Sequence, residues 1–299
     1  MSEASAAAVP ARDAGEDRFR PDLEGLRAVA VGLVLAYHAG IQRVEGGYVG
    51  VDVFFVLSGF LITGLLIREL SATGRVSLLK FYARRARRLL PAAAVTLVVT
   101  AVLSALLLPP LRLPDIAGDI AAAAAYVSNM RFAIEATDYL GAEGAPSPVL
   151  HFWSLGVEEQ FYVFWPALLA LVSGAAFALG DRARGLRRIT VTLLVVFAVS
   201  LVSAVWLTGV QQPWAFFSLP TRAWELALGG LLALPVAGRL VPRTLAPLLG
   251  WAGLLMIVAS GVLFDAATPF PGIAAILPTA GSALVIASGL GRAGSKAAA

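Results

Sequence analysis

Apolar runs of about twenty residues follow one another along most of the chain, separated by short polar stretches rich in arginine. A helix rises 1.5 Å per residue, so a run of about twenty suffices to cross a hydrocarbon layer of roughly 30 Å. The pattern predicts eight spans, at Leu26–Ile41, Tyr48–Ile67, Leu89–Leu108, Phe152–Leu179, Ile189–Leu207, Trp224–Ala237, Leu245–Phe264 and Ile273–Leu290. A further segment, 116–134, is Ala-rich and weakly apolar and carries Asp119 and Arg131. It reads as a ninth span or as an interfacial or re-entrant piece. The expected fold is all-α, a polytopic membrane helix bundle. It forms one domain over 26–290, flanked by a polar cytoplasmic tail at 1–25 and a second at 291–299. Pro166, inside the fourth span, is a candidate kink.

Composition sharpens this picture. With 59% hydrophobic and 14% charged residues and a mean hydropathy of +0.81, the chain is more apolar than a water-soluble core can absorb. The first 25 residues mix arginines with acids and hold no apolar h-region, so they read as a tail and not as a secretory signal. Eight spans with the N-terminus inside put 19 of the 23 basic residues on the cytoplasmic side and 4 outside, whereas a ninth span gives 13 and 10. The positive-inside rule selects eight, with 109–151 as an external loop, and places the protein in the cell membrane. The excess of arginine then reports orientation and contact with lipid, and no nucleic-acid partner is expected. With no cysteine, disulfides, thiolate metal sites and an acyl-cysteine intermediate are excluded, and no metal is expected.

Ionisable side chains inside spans are costly and so draw attention. The two histidines, His38 and His151, both stand in or at the end of a span. His38 follows Arg27 by eleven residues, which returns to nearly the same helix face ~16 Å further along the axis. Imidazole suits proton transfer near neutral pH. Steps of seven and eleven put Glu158 and Tyr162 on the face of His151, while Glu159 points elsewhere and is expected to answer a cation on another helix. Arg222 and Glu225, spaced i,i+3, suit an ion pair. Asp52 heads the second span, where Ser58 and Gly59 below it permit close helix approach. In the eight-span topology these groups fall in the outer half of the membrane. Arg84, Arg85, Arg87 and Arg88 precede Pro91 on the inner side, a patch that could take a polyanionic, phosphate-bearing ligand or serve as an orientation signal.

Five stretches, in order, resemble the acyltransferase-3 family of membrane acyltransferases. They are Asp22-Leu-Glu-Gly-Leu-Arg27 followed by His38; Gly50-Val-Asp-Val-Phe-Phe-Val-Leu-Ser-Gly-Phe-Leu-Ile-Thr63; Arg84-Arg-Ala-Arg-Arg-Leu-Leu-Pro91; His151-Phe-Trp-Ser-Leu-Gly-Val-Glu-Glu-Gln-Phe-Tyr162; and Thr221-Arg-Ala-Trp-Glu-Leu226. The resemblance implies transfer of an acyl group, commonly acetyl, from cytoplasmic acyl-coenzyme A to a hydroxyl of an extracytoplasmic glycan or related acceptor. On that reading Arg84, Arg85, Arg87, Arg88 and Arg27 receive the coenzyme A phosphates, and His38 is general base or transient acyl carrier. Glu158 is expected to orient the imidazole, and Arg222 to steady an oxyanion or pair with Glu225. Asp52 joins this catalytic group, with His151, Tyr162 and Glu225 as further candidates. Family members also continue through two more helices, the first with a Ser-Tyr-Leu-Trp-His-like motif, and the expectation is that this chain, stopping at Ala299, lacks them. Other readings are a transporter or flippase-like path lined by the buried His, Glu and Arg, and an inactive truncated scaffold; the absence of inverted repeats weighs against the transporter. A homo-oligomer is compatible with either class.

Overall fold

A computed structural model describes residues 20–137 and 146–293. The described residues form helices joined by short turns, with no strand among them: α1 Pro21–His38, α2 Gly50–Thr73, α3 Leu78–Leu107, α4 Leu113–Ala124, α5 Ser128–Thr137, α6 Phe152–Ala178, α7 Arg182–Val210, α8 Gln212–Phe217, α9 Leu219–Leu232, α10 Ala237–Leu240, α11 Ala246–Leu263 and α12 Ile276–Ala293. Each of the eight predicted spans is helical over most of its length. Five helical stretches are long and apolar enough to cross a membrane: Gly47–Thr73, Leu78–Leu107, Phe152–Ala178, Arg182–Val210 and Ala246–Leu263. Their apolar side chains face outward in quantity, as with Val98 and Leu106 on α3, Val202 on α7 and Leu255 on α11. In water that surface would aggregate; facing hydrocarbon it costs nothing.

The helix boundaries depart from the hydropathy reading for identifiable reasons. The first helix begins at Pro21, not Leu26, because proline suits the first helical turn and Asp22 and Glu24 complement the positive helix end. Helix α3 begins at Leu78, eleven residues before the predicted Leu89, so the arginine row is helical; hydropathy averages are blind to a basic helical lead-in. The predicted sixth span, Trp224–Ala237, becomes the 14-residue α9, about 21 Å long at 1.5 Å per residue and too short to cross 30 Å alone. It is instead a buried strut between α2 and α7.

The segment 116–134 is not a ninth span. It forms α4 and part of α5, of 12 and 10 residues and about 18 and 15 Å, which fold back on each other through a turn where Tyr126 takes a positive φ of 56°. Arg131 staples the hairpin by bonding Asp119 on α4 (2.7 Å) and Glu135 on its own helix (2.8 Å). The tip is fastened to α6: the Gln160 amide donates to the Tyr126 carbonyl (3.0 Å) and to Asn129 Oδ1 (2.8 Å), and Asn129 donates to the Phe217 carbonyl (3.1 Å).

Helices α2 and α9 meet backbone to backbone. A Cβ added at Gly59 would lie 1.8 Å from the Leu226 carbonyl oxygen, and one at Gly229 2.0 Å from that of Val56. Glycine at both positions therefore sets the crossing, as expected for Gly59 from its spacing. The equivalent device between α11 and α12 uses Gly253 and Gly281, each close to the other's carbonyl. The α2–α9 contact brings Asp52 and Arg222 together.

Candidate active site

Two histidines far apart in sequence line one cleft of about 270 Å³ at one end of the bundle. His38 is the last residue of α1, and His151 immediately precedes α6. The His38 Nδ1 lies 2.8 Å from the Val34 carbonyl oxygen, one helical turn back. A carbonyl only accepts, so Nδ1 carries the hydrogen in the neutral ring and the lone pair is left on Nε2. Burial pulls the His151 pKa below the ordinary 6.5, and the neighbouring His38 lowers it further. His151 therefore stays neutral at pH values where an exposed imidazole is half protonated. The opposite walls are aromatic, from Tyr37, Tyr48, Trp153, Phe216 and Phe270, with Gln212, Asp265 and Ser154 as polar points among them. Tyr37 meets both His38 and Tyr48 edge-on, at centroid distances of 5.2 and 5.8 Å.

Behind that aromatic wall lies a buried ionic group. Arg222 Nη2 bonds Asp52 Oδ1 at 2.9 Å, and Arg222 Nη1 stands 3.1 Å from Glu225 Oε1; all three side chains are 0% exposed. The first contact is a well-formed hydrogen bond. The second is an ion pair by distance whose alignment is too poor for a hydrogen bond; Arg222 Nη1 and Nε, both Glu225 oxygens and Asp52 Oδ2 have no hydrogen-bond partner among the described residues. The guanidinium is ringed by Phe55, Trp153, Phe216 and Phe270, with centroids 5.4 to 6.0 Å away. Of the two expectations for Arg222 the structure makes the ion pair. The aromatic wall separates the guanidinium from the cleft, so a direct oxyanion contact is not open to it in this arrangement.

The carboxylates of α6 form a third cluster. Glu158 Oε1 accepts hydrogen bonds from Ser58 on α2 and from Tyr162, both at 2.6 Å. The expected orientation of His38 by Glu158 is thus corrected: the imidazole is held by a backbone carbonyl, and Glu158 serves a link between α2 and α6. Ser58, read as a packing residue, is a hydrogen-bond donor in that link. Glu159 does answer a cation on another helix, pairing with Arg85, whose guanidinium also stacks 3.7 Å from the Tyr162 ring centroid. Next to it Tyr82 donates to the Val163 carbonyl at 2.7 Å. Arg85, Glu159, Tyr162, Tyr82 and Tyr126 border a smaller cleft of about 150 Å³ between α3, α6 and the hairpin tip.

The rest of the arginine row is differently placed. Arg84, Arg87 and Arg88 are exposed on α3, whereas Arg85 is turned inward, so the row is split between the surface and the fold. Arg27 pairs with Glu24 on its own helix at 2.7 Å and remains 35% exposed. It lies eleven residues before His38 on α1, about 16 Å away along the helix axis.

A match to the family described as an acyltransferase domain covers residues 20–297. The chain belongs to the acyltransferase-3 family. Among curated proteins it is similar to the peptidoglycan O-acetyltransferase OatA of Listeria monocytogenes, with 36% identity over 262 residues, 83% of this chain and 40% of the relative. It is 37% identical over 217 residues to the putative peptidoglycan O-acetyltransferase YrhL of Bacillus subtilis, covering 73% of this chain and 33% of the relative. A putative O-acetyltransferase of Staphylococcus aureus, SAS0844, is 36% identical over 219 residues, covering 72% of this chain and 35% of the relative. The chain thus spans two-fifths or less of the length of these relatives. No solved structure matches it.

In this acyltransferase-3 chain the candidate residues do not gather into one pocket. His38 and His151 share a cleft, Asp52, Arg222 and Glu225 form its buried backing, and Glu158, Glu159, Tyr162 and Arg85 sit apart, on the α6 face towards α2 and α3. Sequence reading missed Ser58 as a donor, Tyr82, the hairpin tip residues Tyr126 and Asn129, and Gln160. Gln160 and Asn129 carried a signal: uncharged amides amid apolar runs, which must find partners when buried. Asn129 is 0% exposed and finds them in Gln160 and Phe217.

Proposed function

We propose that the chain is a membrane O-acyltransferase that moves an acyl group, acetyl in the simplest case, from cytoplasmic acyl-coenzyme A to a hydroxyl of an extracytoplasmic glycan. Family membership and relatives named for peptidoglycan O-acetylation support the reaction class. The observation that carries it is the convergence of the only two imidazoles on one aromatic-walled cleft, with the His38 Nε2 lone pair left available. Aromatic faces suit the C–H faces of a sugar ring, and the scattered polar groups suit its hydroxyls.

In the proposed step the acceptor hydroxyl attacks the acyl carbonyl carbon, His38 Nε2 takes the hydroxyl proton, and the C–S bond breaks. That proton can then pass to the leaving thiolate, which departs as the thiol. The Val34 carbonyl holds the ring so that Nε2 is the basic nitrogen throughout. A two-step course is favoured by the second imidazole: His38 Nε2 first attacks the acyl carbon as the C–S bond breaks and the thiolate leaves. His151, kept neutral by burial, then takes the acceptor hydroxyl proton as the acceptor oxygen bonds the acyl carbon and the acyl–Nε2 bond breaks, and that proton passes to the thiolate. Donor phosphates are assigned to the side of the exposed Arg84, Arg87 and Arg88, with Arg27, and the N-terminus to the cytoplasm. Arg85, fixed by Glu159, is a positioning residue between that row and α6. Asp52, Arg222 and Glu225 support the aromatic wall and make no contact with the reacting atoms.

The test is to incubate protein in detergent with acetyl-coenzyme A without acceptor and read the peptides by mass spectrometry. An acetyl adduct on the peptide carrying His38, removed by adding a glycan acceptor, selects the carrier course. Thiol release only when acceptor is present, with no adduct, selects the base. Adduct and thiol release both absent under every acceptor condition would remove the proposal.

A further inference from the structure

At the end of the bundle away from the histidines, two adjoining clefts share Gly64, Arg68, Ala233 and Pro235 and so make one trough. One arm, of about 340 Å³, is completed by Ser71 and Arg182; the other, of about 280 Å³, by Arg20 and Phe60. Arg68 lies seventeen residues along α2 from Val51 of the histidine cleft, about 26 Å at 1.5 Å per residue. The trough exists because α9 ends at Leu232, three residues before Pro235, and Gly64 keeps its floor open, with no atom nearer than 3.6 Å to a Cβ placed there.

Its charges are uncompensated. Arg68 and Arg182 are exposed and, among the described residues, neither guanidinium has an ion-pair or hydrogen-bond partner. The carboxylates beside them are occupied. Glu69 accepts the Ser77 N–H at 2.8 Å, and Asp181 accepts the Arg184 N–H at 2.9 Å and pairs with the Arg184 side chain at 3.3 Å. Arg20 has its own carboxylate, Asp22, bound through two bonds of 2.8 and 2.6 Å, and stands over Phe60, so it serves as a wall. Ser71 brings a buried hydroxyl with no hydrogen-bond partner. Arg182 opens the first turn of the 29-residue α7, whose positive end adds to the same potential. Two unpaired guanidinium forks, a helix start and a hydroxyl around one concavity match the oxygens of a phosphate.

We propose that this trough binds a phosphate-bearing group through Arg68 and Arg182, as a site separate from the arginine row of α3. Two sources carry that chemistry: the adenosine 3′,5′-bisphosphate portion of coenzyme A, a source that rests on the acyl-transfer reading, and the headgroup of an anionic phospholipid, which does not.

The full chain in a phosphate-free maltoside detergent distinguishes them. Binding of adenosine 3′,5′-bisphosphate is measured by calorimetry, and retention of phosphatidylglycerol over phosphatidylcholine by native mass spectrometry, for wild type, R68Q/R182Q and R84Q/R87Q. Gly64→Leu, which fills the trough and keeps both charges, serves if the double variant does not fold. Loss of nucleotide affinity by about tenfold or more in R68Q/R182Q or Gly64→Leu assigns the trough to the donor. Loss of phosphatidylglycerol retention in those variants, with nucleotide binding unchanged or lost only in R84Q/R87Q, assigns it to lipid. If neither probe responds to R68Q/R182Q or to Gly64→Leu, there is no phosphate site in the trough, whatever becomes of the acyl-transfer reading.

Discussion

At the scale of single residues, the site turns on how each polar group is satisfied. His38 is oriented by a carbonyl one turn back, a bond that any helix-terminal histidine can make, which is why spacing alone suggested the more elaborate Glu158 partner. The distances between helices that give Glu158 to Ser58 and Tyr162 are not written in one helix's periodicity. The two histidines make a direct check possible, because labelled histidine gives only two sets of ring signals. His151 is expected to titrate below 6.5, and in His38→Ala to move back upward in part, since burial is the larger cause and the His38 charge the smaller. The sign for stability follows: a depressed histidine pKa adds stability at neutral pH that fades as pH falls from 6.5 through the lower folded value. A His151 midpoint at or above 6.5 would contradict the cleft geometry. In the buried ionic group, two carboxylates share one guanidinium. Arg222→Gln strands both in an aromatic setting and is expected to cost about 3–5 kcal/mol, whereas Glu225→Gln removes the poorly aligned partner and costs much less. Thermal unfolding in detergent separates the two; equal losses would mean that Glu225 is as firmly bound as Asp52.

At the scale of helices, the α2–α9 crossing organises the rest, because it delivers Asp52 to Arg222 and sets the aromatic wall of the cleft. Gly59→Ala or Gly229→Ala puts a methyl group against a backbone carbonyl that cannot move without shifting its helix. A loss of about 1–3 kcal/mol or more is expected for each, with a lowered Tm, and Gly25→Ala, where a Cβ meets nothing within 4 Å, is the control that does not lower Tm. Unchanged Tm in all three would mean the helices cross further apart. Most helices were legible in the hydropathy pattern, since apolar length is what a bilayer selects. What stayed hidden were elements shaped by neighbours: the short α9, which is stable because α2 and α7 enclose it, and the α4–α5 hairpin, whose Asp119–Arg131 bond looks in sequence like two charges interrupting a span. The positive-inside count also argued against the ninth span, and helices of 12 and 10 residues are each too short to be one.

At the scale of the molecule, the histidine cleft and the basic trough occupy separate ends of one bundle, about 26 Å apart along α2. The proposed orientation can be read from a chain that lacks cysteine. Ala267→Cys, near the histidine cleft, is expected to react with an impermeant maleimide in intact cells, and Ala183→Cys, in the first turn of α7, only after permeabilisation; the reverse pattern would invert the protein. Two of the motifs, Gly50–Thr63 and Thr221–Leu226, sit at the α2–α9 backbone crossing and its buried ion pair, where few residues serve. The grouping of those residues into a cleft, its backing and a separate α2–α3–α6 cluster required the fold. The central claim is that His38 performs acyl transfer. It is tested most directly by measuring thiol release from acetyl-coenzyme A by the purified chain with glycan acceptors, beside His38→Ala and His38→Gln. Acceptor-dependent release in wild type that falls by about 100-fold or more in both variants, with Tm unchanged, is the expected result. Release that persists in the folded variants would contradict it.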